Sequence, residues 1–291
     1  MYYRRKVLLA LLEKFGGILG STRLQKLLFL FTRKQEVPSY EFVPYKFGAY
    51  SFQVQADKKT LTKYDLLEDN KKWVIKTGQS YIEQLTNTDR DRLNELHKTY
   101  ADYSTDSILT HTYRTNPYYA INSVISDNIL DQEDRNRIAL FRPQNSEKKL
   151  YTIGYEGIKA ETFMNRLIGK NICLLVDVRK NSMSMKFGFS KSQLQTMCKS
   201  MNIAFMHMPE LGIDSSKRKD LRTEHDYKKL FEEYERETLS QREDALETLE
   251  CLIRKYDRVA LTCFEKHHKS CHRHKISDQL NQKYTIQVEH I

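Results

Sequence analysis

Val259-Ala-Leu-Thr-Cys263 runs straight into Phe264-Glu-Lys-His-His-Lys-Ser-Cys-His-Arg-His274. The first piece is a short apolar run of the kind that forms a buried strand. The second places Glu265, four histidines, Cys271 and Arg273 directly behind it. Reactive side chains just past the carboxyl end of a strand occupy the place where open α/β folds hold ligands. Two earlier stretches have the same form. Tyr151-Thr-Ile-Gly-Tyr-Glu-Gly157 leads a strand pattern into a glycine turn, and Leu174-Leu-Val-Asp-Val-Arg179 ends an apolar run in a charged pair. Three strands are therefore expected to deliver polar groups to one edge of one sheet.

Working outward, strands are expected at Leu150–Ile153, Cys173–Val178, Ala204–Met208, Val259–Cys263 and Thr285–Val288. Helices are expected at Lys159–Ile168, Ser190–Met201, Asp226–Glu237, Arg242–Tyr256 and His274–Asn281. This alternation predicts an α/β domain over residues 149–291, with a mostly parallel sheet and helices on both faces. Residues 127–148 are polar and charged, with Pro143 and Asn145, and read as a linker. Residues 1–126 read as a mainly helical binding domain. Lys6–Phe15 and Thr22–Arg33 carry apolar stripes, with Ser21 as a candidate cap. A helix over Ser51–Leu61 and a strand-turn-strand over Tyr64–Lys76 follow, completing a winged-helix-like plan. Three more helices are expected at Gln79–Leu85, Asp89–Tyr103 and Thr105–Tyr113.

The bulk properties narrow the function classes. A chain of 291 residues favours two domains. With 40% apolar and 30% charged residues it can build real cores. It contains no apolar run long enough to span a bilayer, so no membrane partner is expected. The basic start Met1-Tyr-Tyr-Arg-Arg-Lys6 precedes only a short run, Val7–Leu12, ended by Glu13 and Lys14, and reads as an amphipathic helix and not a signal peptide. The odd count of five cysteines fits a reducing, cytoplasmic setting. Cys173, Cys198 and Cys251 sit in apolar or helical patterns and read as small buried hydrophobes. The formal charge of +10 favours a polyanionic partner, DNA or another nucleic acid.

Three chemistries compete for the polar edge. Cys263, His267, Cys271 and either His272 or His274 can supply four metal ligands. Their spacing is looser than in zinc sites and lacks a Cys-x-x-Cys, so no metal and no cofactor are expected. Cys271, at a helix start beside His272 and Arg273, has the surroundings that activate a thiolate. The preferred reading is acid–base work by Asp177 and Glu265 or Glu156, with Cys271 and His272 beside them. Arg179 and Arg273 would then hold a phosphate, since a guanidinium forks onto one bidentately. Tyr155 and Glu156, at the first glycine turn, are expected to contact substrate. Lys217 and Arg218, in the basic loop Ser215–Arg222, are expected to hold phosphates along a strand.

Thr152-Ile-Gly-Tyr-Glu-Gly157, Asp177-Val-Arg179, Pro209-Glu-Leu-Gly212 and Cys263-Phe-Glu-Lys266 through Cys271-His-Arg273 occur in order. With these pieces, residues 149–291 resemble the family of the domain of unknown function 488. The resemblance implies an α/β sandwich with the motifs at one pole, and nucleic-acid or nucleotide processing, in some members in phage defence. The loop Asn181-Ser-Met-Ser-Met-Lys-Phe-Gly-Phe189 departs from the family pattern, which has a basic or small residue before the glycine. In the first 75 residues, Leu24-Gln-Lys-Leu-Leu28 and Pro44-Tyr-Lys-Phe-Gly-Ala-Tyr-Ser51 resemble winged-helix-like modules of the SocA antitoxin and Panacea type, which implies a module that binds nucleic acid or a protein. Together these readings point to a DNA glycosylase acting on modified, phage-type DNA. The alternatives are a non-enzymatic regulator or antitoxin-like module, a metal-dependent nuclease and a thiol-dependent enzyme.

Overall fold

The computed structural model describes residues 1–76, 78–144, 146–218, 221 and 223–291. The chain divides into two compact units, Met1–Arg142 and Pro143–Ile291.

The first unit is mainly helical: α1 Tyr3–Lys14, α2 Ser21–Thr32, α3 Phe52–Lys63, α4 Asn87–Tyr100, α5 Thr105–Thr115, α6 Ser126–Ile129 and α7 Gln132–Ala139. Its strands are short: β1 Ile18–Leu19 pairs with β4 Trp73–Val74, and β2 Val43–Tyr45 pairs with β3 Gly48–Tyr50. The core gathers Leu8, Leu12, Leu27, Phe31, Trp73 and Leu96. A charge knot closes α1 onto α3. The buried Asp57 carboxylate accepts from Arg4 Nε at 2.7 Å, Arg5 Nε at 2.6 Å and Tyr40 OH at 2.9 Å.

Several expectations for this unit change. Ser21 does not cap α2: Gly20 holds the cap position, and the Ser21 hydroxyl instead accepts Trp73 Nε1 at 3.2 Å. The expected hairpin over Tyr64–Lys76 is reduced to β4 and a single bridge, Leu67 to Ile75. Gln79–Leu85 is not helical among the described residues. The Glu13 carboxylate accepts Tyr81 N at 2.7 Å, Ile82 N at 3.2 Å and the Ser80 hydroxyl at 2.8 Å, tying this stretch to α1 as a loop. The stretch read as a linker carries α6 and α7, with Ile138 buried. Asn145, also within that stretch, lies outside the described residues.

The second unit is an α/β fold: β5 Lys149–Gly154, α8 Ala160–Gly169, β6 Leu174–Asp177, α9 Lys191–Ser200, β7 Ala204–His207, α10 Glu224–Glu237, α11 Glu243–Tyr256, β8 Arg258–Cys263, α12 Arg273–Tyr284 and β9 Val288–His290. The five strands are parallel, in the order β7-β6-β8-β5-β9. The expected final strand shifts toward the C-terminus because Thr285 adopts the left-handed conformation, φ 55°, that ends α12.

This order fixes which face each helix covers. From β5 through β6 to β7 the chain moves one way along the sheet; from β7 through β8 to β9 it moves back. Right-handed crossovers then place α8 and α9 on one face, and α10, α11 and α12 on the other. Leu230, Leu249, Ile253 and Ile276 accordingly pack with Leu174, Val176, Val259 and Leu261. On the opposite face Phe163 of α8 meets Phe189 edge-on, ring centres 5.3 Å apart. The connections leaving β8 and its neighbours β5 and β6 thus diverge to opposite faces, forming a switch point at the carboxyl edge, where α/β sheets bind ligands.

Candidate active site

The motifs picked out in the sequence do gather at this edge, but the pleat sorts them onto two faces. Successive strand residues point to opposite sides. Val259, Leu261 and Cys263 share the α10–α12 face with Val176 and Val178. Asp177, between those valines and in register with Thr262, points to the α8–α9 side.

On that side Asp177 is fully buried and grips Arg179 through two hydrogen bonds, Nε to Oδ1 at 2.8 Å and Nη2 to Oδ2 at 2.6 Å. Arg179 Nη1 donates to Tyr155 OH at 2.6 Å, and the Tyr155 ring stacks on Phe189, centres 4.2 Å apart. Burial opposes the Arg179 charge, yet the bonds and charge of Asp177 outweigh it and raise the guanidinium above its ordinary value. Asp177, Arg179 and Tyr155 are thus buried and spent on one another. Expected as an acid, a phosphate clamp and a substrate contact, they are here bonded to one another and hold the loop after β6.

The other side carries a denser cluster. Cys263 ends β8, while Cys271 and His272 precede α12. The Sγ atoms of both cysteines lie 3.8 Å from His272 Nδ1. His272 Nε2 is 2.9 Å from the Val178 carbonyl oxygen, which can only accept. Nε2 therefore carries the proton, and the Nδ1 lone pair faces the thiols and Arg218 Nη2, 2.7 Å away. Arg218 also pairs with Glu265 Oε1, and Cys263 Sγ donates to Glu265 Oε2 at 3.3 Å. Cys263, Cys271 and His272 are buried; the Glu265 and Arg218 side chains remain 18% and 24% exposed. Burial pushes the Glu265 carboxyl up, but the Arg218 charge and the thiol hydrogen bonds prevail and hold it below the usual carboxylate range. The Cys271 thiol goes the other way, pushed well up by burial and by its neighbour Cys263. It lacks the activation expected of a nucleophile.

The remaining expected residues frame the cluster. Arg273 is buried, donating to the backbone oxygens of Glu265 at 2.6 Å and Lys266 at 3.0 Å, so it ties the loop after β8 instead of meeting a phosphate. Glu156 Oε2 accepts Lys266 N at 2.9 Å on the same loop. Lys217 turns outward to Glu237, at 3.0 Å. Lys219, Asp220 and Arg222 of the expected basic loop lie outside the described residues. His267 is exposed, and His274 Nδ1 sits against the Cys271 oxygen at 2.5 Å, so neither joins the thiols. Cys251, expected to be buried, is exposed on α11.

Two glycines allow these loops to cross. A Cβ on Gly154 would lie 1.9 Å from the Glu265 oxygen, and one on Gly212 would lie 2.1 Å from Lys180 N. The turns Gly154-Tyr-Glu-Gly157 and Pro209-Glu-Leu-Gly212 therefore seat the loops after β8 and β6. The sequence reading left two contributors unassigned. Tyr234 of α10 lays its ring edge-on to His272 at 5.5 Å and donates to the Leu211 oxygen at 2.6 Å. His207 Nε2 sits 2.9 Å from the Arg179 oxygen. Position at the end of β7 was the available signal for His207; for Tyr234 there was only its place on an amphipathic helix.

Residues 159–280 match the family model described as Domain of unknown function DUF488. Most of both clusters falls within this match, including Asp177, Arg179, Arg218, Cys263, Glu265, Cys271 and His272. The C-terminal unit is thus similar to that family over the elements from α8 to α12. No curated protein and no solved structure matches the chain. No helix among the described residues is long and apolar enough to cross a membrane.

Proposed function

We propose that the C-terminal unit processes nucleic acid, cleaving the N-glycosidic bond of a DNA base with Glu265 as the working carboxylate. The observation that carries this reading is the state of Glu265. It stands at the carboxyl edge of the sheet, part-exposed, and is kept ionised against its own burial by Arg218. A carboxylate held ionised and largely out of water stabilises positive charge growing on a sugar as its bond to the base breaks, or orients the attacking water.

The surroundings support the reading. Exposed Met183 and Met185 project from the loop after β6 and exposed Phe264 from the loop after β8, alongside exposed Lys180 and Lys266. Apolar wedges of this kind unstack bases, and cations beside them hold phosphates. A base must leave the stack to reach such a site. The charge of +10 favours the same partner. The N-terminal unit, with its winged-helix-like sequence plan, is the module that recruits DNA or a protein partner.

The test is incubation of the purified chain with modified and unmodified DNA, resolved on denaturing gels with and without alkali. Breaks that require alkali mark abasic sites and are the expected result. Direct breaks abolished by chelator would make the protein a metal-dependent nuclease, and intact strands throughout would remove the DNA-cleaving reading.

A further inference from the structure

We infer that Cys263, Cys271 and Nδ1 of His272 form a binding site for one thiophilic divalent cation, with zinc the ion whose preferences they fit. The three donor atoms all lie within 4.8 Å of one another, in a fully buried group. A zinc ion holds sulfur at about 2.3 Å and imidazole nitrogen at about 2.0–2.1 Å, which makes the sulfur–nitrogen edge of its tetrahedron about 3.5 Å. Both Sγ–Nδ1 separations here are 3.8 Å, so a few tenths of an ångström of side-chain movement brings the two sulfur–nitrogen edges to that value.

The second shell points the same way. A metal-bound histidine ordinarily donates its other ring nitrogen to a carbonyl or carboxylate, which fixes the tautomer and the ring plane. His272 Nε2 already does so to the Val178 oxygen at 2.9 Å. The donors stand on rigid supports: Cys263 is the last residue of a central strand, and Cys271 and His272 lead into α12. Arg273 holds the loop between them by two backbone oxygens. The nine-residue reach from Cys263 to His272 is bridged by this fold-back and not by a tight Cys-x-x-Cys turn.

Charge also closes. Two thiolates and a neutral imidazole cancel a divalent ion, so the ion adds no net charge beside Arg218 and Glu265, and their pairing can persist. Arg218 gives up only its bond to Nδ1, at 2.7 Å, when the cation takes that lone pair. Glu265 borders the three donors, its Oε2 touching Cys263 Sγ at 3.3 Å, and so is placed to face a fourth position. Three protein ligands with a fourth position beside a part-exposed carboxylate is the layout of a catalytic zinc site, as opposed to a closed structural one. The binding of two protons' worth of thiol makes uptake pH-dependent, with protons released as the ion enters. The inference goes beyond the glycosidic reading and does not depend on it.

Cobalt(II) is the probe. The reduced, full-length chain, stripped with chelator, is titrated with cobalt and followed by absorption. The expected result is one equivalent bound, with a sulfur-to-cobalt charge-transfer band and the intense visible bands of tetrahedral cobalt, both displaced by zinc. Cys263→Ser and Cys271→Ser should each weaken binding by more than the about 10–100-fold that loss of an outer partner costs. Cys251→Ser, on the exposed face of α11, should leave it unchanged. Should the buried cysteine variants fail to fold, Arg218→Ala decides: removing the guanidinium from Nδ1 should keep the band and tighten binding. A folded wild-type chain without the charge-transfer band, a folded Cys271→Ser that keeps wild-type cobalt affinity and band intensity, or loss of the band in Arg218→Ala would each overturn the site. A chain that binds cobalt as described but yields no abasic sites would count against the glycosidic reading alone.

Discussion

Asp177 shows what a residue reveals in sequence and what it withholds. Its position at the end of an apolar run correctly places it at the carboxyl edge. Whether it works or merely holds the loop depends on the pleat: one residue of register decides which face it meets, and register is a property of the neighbouring strand. The structure turns it away from Glu265 and into Arg179, both buried. Removing one partner of a buried pair leaves an uncompensated charge and costs about 3–5 kcal/mol, whereas replacing both with apolar groups restores much of that. Asp177→Ala should therefore lower the thermal midpoint markedly, and adding Arg179→Met should recover most of the loss in melts followed by circular dichroism. If the double variant is as unstable as the single, the pair is not what Asp177 supplies. Glu265, Cys271 and His272 were legible as a group because they share one short segment. Arg218 was legible only as a surface cation, since its partners Glu265 and His272 lie far along the chain, beyond β8.

At the scale of elements, the C-terminal unit was readable because each apolar run of four to six residues is flanked by an amphipathic helix. The elements that differ lie where a side chain distant in sequence anchors a loop, as Glu13 does at Ser80 and Tyr81, or where a single residue turns left-handed, as at Thr285. Gly154 carries a requirement at this scale: β5 can end beneath the loop of β8 only without a Cβ, which would sit 1.9 Å from the Glu265 oxygen. Gly154→Ala should cost about 1–3 kcal/mol or more, as overpacking does. It should also lower activity, because the displaced atom belongs to Glu265; unchanged melting and turnover would refute the close approach. In the N-terminal unit, Lys26 of α2 is buried, its ammonium donating to the Ala49 oxygen at 2.6 Å, and burial lowers its pKa to about 7. The unfolded chain keeps that proton up to the ordinary value of 10.5. Between the two values the unfolded state binds more protons, so this group makes stability rise with pH; below about 7 its cost is at its fullest. The single tryptophan, Trp73, is buried in this unit and reports its unfolding alone. Urea denaturation followed by its fluorescence should show wild type gaining on Lys26→Met as pH rises from about 6.5 to about 9. A constant difference between the two would contradict the buried lysine.

For the whole molecule, length favours two domains and net charge a polyanionic partner; the structure divides into two compact units at Arg142 and Pro143. The boundary was blurred in sequence because α6 and α7 are short and polar, and only packing gives Ile138 its buried place. Binding to DNA through many cations should weaken steeply with salt; six to ten phosphate contacts lose roughly 10³–10⁵ in affinity between about 50 and 200 mM. A salt-independent affinity would assign the net charge some other purpose. The central claim, however, is that Glu265 is the carboxylate that does the chemistry. The measurement that tests it is single-turnover release of alkali-labile sites from DNA by wild type and by Glu265→Gln, with circular dichroism confirming the variant's fold. A loss of about 10²–10⁴-fold in rate with the fold intact is expected; a folded variant that still forms abasic sites at the wild-type rate would remove Glu265 from the chemistry.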